Sequence, residues 1–324
     1  MSGDGKKQNV TSEDVVKAYR MFLGRDPENT EVVQSRVESG IDIHALGRLF
    51  ATSHEFLDRY KMHSPAMTGR EPRLHIQESA SEEEMSDLFR HIHSVWSELG
   101  KSRPHWSVLS VDEFDKESLE TSDIDSFYKT GGYATDVLFE TLKRNDIETS
   151  SLQSCLEIGC GLGRVTGHLA KRFDRVSACD ISQPHLEAAR HESGSNRQDN
   201  IEYWQLESVE EIGSRGSFDL IYSIIVLQHN PPPVILEMIR LMCESLTPGG
   251  VAFFQVPTYI DGYRFELHDY LEGLGDFIEM HCVHQSSVFK QCEKSDCSVL
   301  EVLDDSHTGY KERERSNTFV VQRG

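Results

Sequence analysis

Residues 156–166 read Leu-Glu-Ile-Gly-Cys-Gly-Leu-Gly-Arg-Val-Thr: a carboxylate at Glu157, glycines at Gly159, Gly161 and Gly163, then a cation at Arg164. Further along, the apolar run Arg175–Cys179 leads straight into Asp180. An apolar strand, a glycine-rich bend, a helix start and an acid at the tip of the next strand form a cradle for a nucleotide-type cofactor. A dinucleotide bend of the form G-x-G-x-x-G needs its third glycine at position 164, which is occupied by Arg164. Glu157, two residues before the first glycine, would repel a pyrophosphate and welcome a cation. The residues therefore favour a sulfonium donor carrying an ammonium group. Asp180 offers two acceptor oxygens to the hydroxyls of a ribose.

These residues must be held by strands and helices, and the apolar pattern supplies them. Strands are predicted at Ser154–Ile158, Arg175–Cys179, Ile201–Leu206, Phe218–Ile225, Val251–Val256, Ser298–Leu303 and Thr318–Gln322. Between them Arg164–Phe173, Pro184–Glu192 and Pro233–Leu246 read as helices. That alternation predicts an α/β protein with a doubly wound, seven-stranded, mainly parallel sheet, its ligand at the carboxyl ends of the strands near the reversal of strand order.

The segment E-x-G-C-G-x-G-R-x-T, followed by an acid ending the next strand, resembles a class I S-adenosylmethionine-dependent methyltransferase over about residues 127–323, a Rossmann-like fold. The resemblance implies S-adenosyl-L-methionine as cofactor. It places Glu157, Gly159, Gly161, Gly163 and Arg164 around the methionine part, Asp180 on the ribose and Ile181 against the adenine. Glu207 and Ser208 would hold the adenine edge, Glu standing where Asp is commoner. Ser223, at the tip of the fourth strand, belongs to the same candidate set. The stretch FDLI at Phe218 and TPGG at Thr247–Gly250 match the family's fourth strand and the turn before its fifth. Tyr128 and Tyr133 are candidates to fold over the cofactor, with Gly131–Gly132 as a mobile or close-approaching turn.

Methyl transfer from a sulfonium is an in-line displacement that aligns acceptor, methyl and sulfur and excludes water. A hydroxyl acceptor also has a proton to lose. His229 follows the fourth strand and titrates near neutrality, so it is the catalytic candidate; the competing reading makes it a loop-holder. Gln228, Asn230, Tyr259, Tyr263, His281 and His284 are candidate acceptor contacts, the aromatics as pocket walls or as ordinary lid packing. No zinc-ligand spacing is present around His281 and His284, so no metal is expected.

The chain has 324 residues, 37% of them apolar, and a net charge of −21. That charge argues against nucleic acid as a partner, and no apolar run approaches the length of a membrane span. Seven scattered cysteines fit reduced thiols, and the leading residues lack a secretion signal, so a cytoplasmic protein is expected. Three regions are predicted: a helical module over 1–60, a linker and helical extension over 61–125, and the methyltransferase domain over 126–324. In the first, Tyr19, Leu23, Gly24, Arg25, Pro27, Ser53, Glu55 and Phe56 resemble a short helical domain of unknown function with an LGR-x-P signature. Such modules accompany carbohydrate-modifying enzymes, and this one is expected to dock a protein partner or mediate oligomerisation. The resulting expectation is O-methylation of a glycan or sugar-containing acceptor. Alternatives are an N- or O-methyltransferase for a small natural product, and a non-catalytic interaction protein on the same scaffold.

Overall fold

The computed structural model describes residues 9–51, 53, 55–56, 71–109, 120–273, 278–305, 307–309 and 314–324. Parts of the expected helical module (57–60) and of the expected linker and extension (61–70 and 110–119), with residues 310–313, lie outside these residues. Two compact units are present, one within residues 1–71 and one over 72–309 and 313–324.

In the first unit, α1 (Ser12–Ala18) opens on a capping box between Thr11 and Asp14, and runs through a π-helical turn to Gly24, whose φ of +60° ends it. Helices α2 (Thr30–Glu38) and α3 (Ile43–Ala51) complete a core of Val15, Tyr19, Leu23, Leu46 and Phe50. The signature residues are structural here. Arg25 pairs with Glu55 at 2.5 Å and Glu28 at 2.7 Å while lying over the Tyr19 ring, and Ser53 accepts from the Phe56 amide.

In the second unit, β1 (His75–Ile76) precedes α4 (Glu82–Ser102), α5 (Pro104–Val108) and the long α6 (Thr121–Arg144). The stretch expected as linker and extension thus supplies two helices to this unit. The alternation that follows is β2 (Ser154–Ile158), α7 (Thr166–Leu169), β3 (Arg175–Asp180), α8 (Gln183–Ser195), β4 (Ile201–Gln205), α9 (Glu211–Ser214), β5 (Phe218–Ser223), α10 (Pro232–Glu244) and β6 (Leu246–Ile260). The chain ends with β7 (Arg264–Phe265), α11 (Leu267–Glu272), α12 (Gln285–Lys294), β8 (Cys297–Asp305) and β9 (Glu314–Arg323). All seven predicted strands are present, in the order β4-β3-β2-β5-β6-β9-β8, with only β9 antiparallel to its neighbours. Leu156, Ile158, Ile221, Phe254 and Phe319 face one apolar layer with α10, while Cys155, Leu220, Tyr222, Phe253 and Val320 face the other with α6 and α7. Helices on both faces explain why these strands read as unbroken apolar runs.

Two expectations are corrected here. The TPGG turn lies inside β6 as an excursion: Phe218 pairs with Leu246 and Leu220 with Val251, so Thr247–Gly250 loop out between them. Gly131 and Gly132 lie within α6, not in a turn, and their role is close approach, because a Cβ on Gly131 would sit 2.0 Å from the Arg164 carbonyl oxygen. No helix among the described residues is long and apolar enough to cross a membrane, and all seven cysteines are buried and unpaired.

The Asp219 of the FDLI stretch has a structural role. One carboxylate oxygen accepts from the amides of Gln153 and Ser154 and from the Ser154 hydroxyl, and the other accepts from Thr247 Oγ1 at 2.9 Å. One side chain thus fastens the starts of β2 and β5 to the β6 excursion. Although partial burial alone would raise the carboxyl's pKa, the hydrogen bonds hold it below the ordinary range. Asp219→Ala should lower unfolding free energy by about 2–4 kcal/mol, through charge-assisted bonds lost and amides left unpaired. Chemical denaturation measures this, and a loss below 1 kcal/mol would reject the role.

Candidate active site

The order β4-β3-β2-β5 means the chain winds outward from β2 through β3 to β4, then returns to the other side of β2 at β5. A crevice opens at that reversal. Its floor is the bend after β2, where Gly159 has φ +75° and Gly161 has φ +52°. A Cβ on Gly159 would lie 2.3 Å from Val226 Cγ2, and one on Gly161 2.8 Å from Val108 Cγ2, so only glycine fits at either place. The Gly159 and Cys160 amides donate to the Cys179 carbonyl at 2.8 and 2.9 Å, tying the bend to β3.

Three charged side chains line the cavity beside this bend. Glu157 is buried, accepts from Thr166 Oγ1 at 2.5 Å, and has its pKa pushed up to about 7 by burial, with Thr166 and Arg164 opposing. Arg164 donates to Thr130 Oγ1 at 3.1 Å, and its Nε is buried without a partner. Asp180 accepts the Gly161 amide on one oxygen at 2.8 Å and the Ser182 amide on the other at 2.9 Å. Each of its oxygens keeps a lone pair for a further donor.

The opposite side is apolar. Phe89, Ile92 and Trp96 of α4, Val108 of α5, Leu206, Ile224, Ile225, Val226 and Met238 enclose it together with Ile181. His229, at the end of the 3-10 turn Leu227–His229 after β5, faces this half with Asn230. Its Nδ1 donates to the Glu279 carbonyl at 2.9 Å, which leaves Nε2 as an acceptor, approached by the Gln228 amide at 3.2 Å. The Trp96 ring centre lies 5.2 Å from that of His229. Burial pulls the imidazole pKa down to about 4, so the ring is neutral at ordinary pH.

Of the residues expected from sequence, Glu157, Gly159, Gly161, Arg164, Asp180, Ile181, His229 and Asn230 meet at one cavity. The others are placed elsewhere. Gly163 shapes the bend from behind, and Ser223 donates to the Ile158 carbonyl, joining β5 to β2. Glu207 and Ser208 line an adjoining depression with Arg90 and His93, which shares Phe89 with the cavity. Tyr128 braces the bend through the Leu162 carbonyl at 3.2 Å, and Tyr133 is 76% exposed on α6. Gln228 is buried with its amide at His229 Nε2, and Tyr259 is buried on β6. Tyr263 and His281 bond each other at 2.8 Å, and His284 is engaged by Glu78 and the Leu74 carbonyl.

The sequence reading missed the whole roof. Leu88, Ile92 and Trp96 recur at helical spacing, which states that a helix has an apolar face but not that part of it covers a cavity. Val108 and Ser107 sit in a stretch with no assignable pattern. The roof is pinned by Ser107 Oγ, 2.9 Å from Nε2 of the buried His185 on α8.

Residues 155–250 match the family profile described as a methyltransferase domain. Among curated proteins, a ubiquinone biosynthesis O-methyltransferase of Psychrobacter cryohalolentis is 26% identical over 166 residues, covering 45% of this chain and 63% of that protein. A trans-aconitate 2-methyltransferase of Deinococcus radiodurans is 29% identical over 137 residues, covering 41% and 50%. The chain thus spans between half and just under two thirds of the length of these relatives. Among solved structures, the magnesium protoporphyrin IX methyltransferase of Synechocystis with bound SAH superposes with a TM-score of 0.50 at 16% identity, covering 72% of this chain and 98% of that one, a likeness of fold. The glycine bend, the acid closing β3 and the matched segment lead to one conclusion: the chain carries a class I S-adenosylmethionine-dependent methyltransferase domain.

Proposed function

We propose that this protein binds S-adenosyl-L-methionine in the crevice and transfers its methyl group to a hydroxyl oxygen of a small acceptor. The observation that carries the reading is the presence in one cavity of Glu157 and of Arg164, whose Nε has no partner, beside a bend that only glycine can form. A carboxylate and a guanidinium in the same cavity suit the ammonium and carboxylate of an amino-acid moiety, and Asp180 one strand away suits a ribose. Bound there, the cofactor would supply an electrophilic methyl; the protein positions it and keeps water out.

His229 receives the acceptor. With Nδ1 held by the Glu279 carbonyl, Nε2 can exchange its long contact with Gln228 for the acceptor's hydroxyl. A pKa near 4 suffices for this task, because the oxygen becomes strongly acidic once its bond to the methyl carbon forms. His229→Ala should lower turnover by about 10²-fold while leaving affinity for S-adenosylhomocysteine within a few-fold. Unchanged turnover would make His229 a loop-holder.

The apolar wall of Trp96, Ile92 and Ile225 around His229 favours a small, weakly polar acceptor over a hydrated glycan chain, and both curated relatives are named for small molecules. The tyrosines expected as acceptor-pocket walls, Tyr259 and Tyr263, are not among the residues lining this cavity. Incubation with methyl-labelled cofactor and a panel of phenols, organic acids, amines and oligosaccharides tests the acceptor, and labelling confined to oligosaccharides would reverse this preference. Calorimetry with S-adenosylhomocysteine tests the donor site. No binding at millimolar ligand would leave the non-catalytic scaffold as the better reading.

A further inference from the structure

Ile225, two residues past β5, has φ +60°. Four non-glycine residues among those described enter the left-handed region, and Ile225 is the one β-branched side chain of the four. Its branched Cβ makes that conformation unfavourable, so it persists only where the surroundings impose it. The imposing group is Gln255, fully buried on β6. Its Oε1 accepts the Ile225 amide at 3.0 Å, while its Nε2 donates to Gln228 Oε1 at 2.9 Å and to Ser316 Oγ at 2.7 Å. Gln228 in turn reaches His229 Nε2. One side chain therefore holds the strained residue, the turn that carries His229, and β9.

We infer that Gln255 is a positioning residue that locks Ile225 in its left-handed conformation and thereby sets the wall from Ile225 to His229. Ile225, Val226 and His229 all face the cavity, and Val226 is the side chain that closes on Gly159. Released from Gln255, Ile225 relaxes toward an ordinary conformation, and the residues after it move with the backbone. The catalytic consequence rests on the methyl-transfer reading; the mechanical coupling does not.

A double-mutant cycle on the full chain tests the coupling by urea unfolding. Gln255→Leu removes the tether, and Ile225→Gly removes the strain that the tether opposes. The loss in folding equilibrium constant caused by Gln255→Leu should be at least about tenfold larger with glycine at 225 than with isoleucine, because only isoleucine recovers strain when the tether is gone. Should Gln255→Leu alone fail to fold, continued failure on adding Ile225→Gly is the supporting result, and restored folding overturns the inference, since the strain would then outlast the tether. Gln255→Glu keeps the acceptor for the Ile225 amide but lacks the donors to Gln228 and Ser316, so its loss should be additive with Ile225→Gly. Additivity for Leu, or equal coupling for Leu and Glu, overturns the assignment. The ring 15N signals of His229 supply a second readout: they should shift in Gln255→Leu and stay in place in Ile225→Gly. Since the cycle needs no methyl donor, its outcome is independent of whether S-adenosylhomocysteine binds.

Discussion

Gly159→Ala should abolish measurable binding of S-adenosylhomocysteine in a chain that still folds. Two effects coincide at this position. The added methyl would lie 2.3 Å from one Val226 methyl and 2.6 Å from the other, and φ of +75° is unfavourable for any residue bearing a Cβ. Backbone strain of about 1–2 kcal/mol and overpacking of about 1–3 kcal/mol together exceed what side-chain rotation relieves. The bend must then give way, and with it the surface on which the cofactor lies. The expected loss is at least about 10²-fold in affinity, against a stability loss of about 2–4 kcal/mol. Gly161→Ala is the internal comparison. Its clash is with Val108, 2.8 Å away on the five-residue α5, which can retreat more readily than the wall at Val226, so the effect should be smaller. Calorimetry on both variants decides, and equal affinities would refute the ranking.

Glu157→Gln should give a protein that is more stable at pH 8 and a poor binder of the same ligand. Folded, Glu157 has its pKa raised to about 7 by burial, against an ordinary value of 4.5. Between those values the folded chain holds a proton that the unfolded chain has released, so this group's contribution to stability falls as pH rises through the window. Above it the cost of the buried charge is complete, roughly 3 kcal/mol from the shift. Glutamine avoids that cost at pH 8 and changes little near pH 4. It also removes the negative partner for the ligand's ammonium, worth about 1.5–3 kcal/mol, or roughly 10–150-fold in affinity. Wild-type affinity should therefore rise with pH through about 7, and the variant's should not. His229 works in the opposite sense. Its folded pKa is depressed to about 4, so its contribution is complete above the unfolded value of 6.5 and is lost as pH falls toward 4. Removing Glu157 should expose that slope in denaturation series taken between pH 5 and 8. Equal stability of wild type and variant at pH 8 would show that Glu157 bears no burial cost.

The sheet was legible because its central strands are buried on both faces, so each appears as an apolar run long enough to count. The bend was legible because left-handed backbone beside close neighbours leaves glycine as the only choice. The roof was not. Periodicity states which face of a helix is covered, not whether the cover is packed side chains or a cavity, and Phe89, Ile92 and Trp96 meet the crevice across a long loop of sequence. Several polar candidates lie away from the cavity for a related reason. Tyr263, His281 and His284 carry the right groups for an acceptor site, but their hydrogen-bonding capacity is taken up by one another, by Glu279 and by Glu78. Leu206 lines the cavity, while Glu207 and Ser208 line the adjoining depression that shares Phe89 with it.

The wall that faces His229 draws Phe89, Ile92 and Trp96 from α4, which lies wholly outside the matched segment 155–250. On the proposed reading, the acceptor wall is therefore shared between this helix and the segment that holds the donor, which contributes Ile225 and His229. On that same reading, substitutions at Phe89, Ile92 or Trp96 would reshape the cavity from outside the glycine bend, leaving the backbone of the bend itself unchanged.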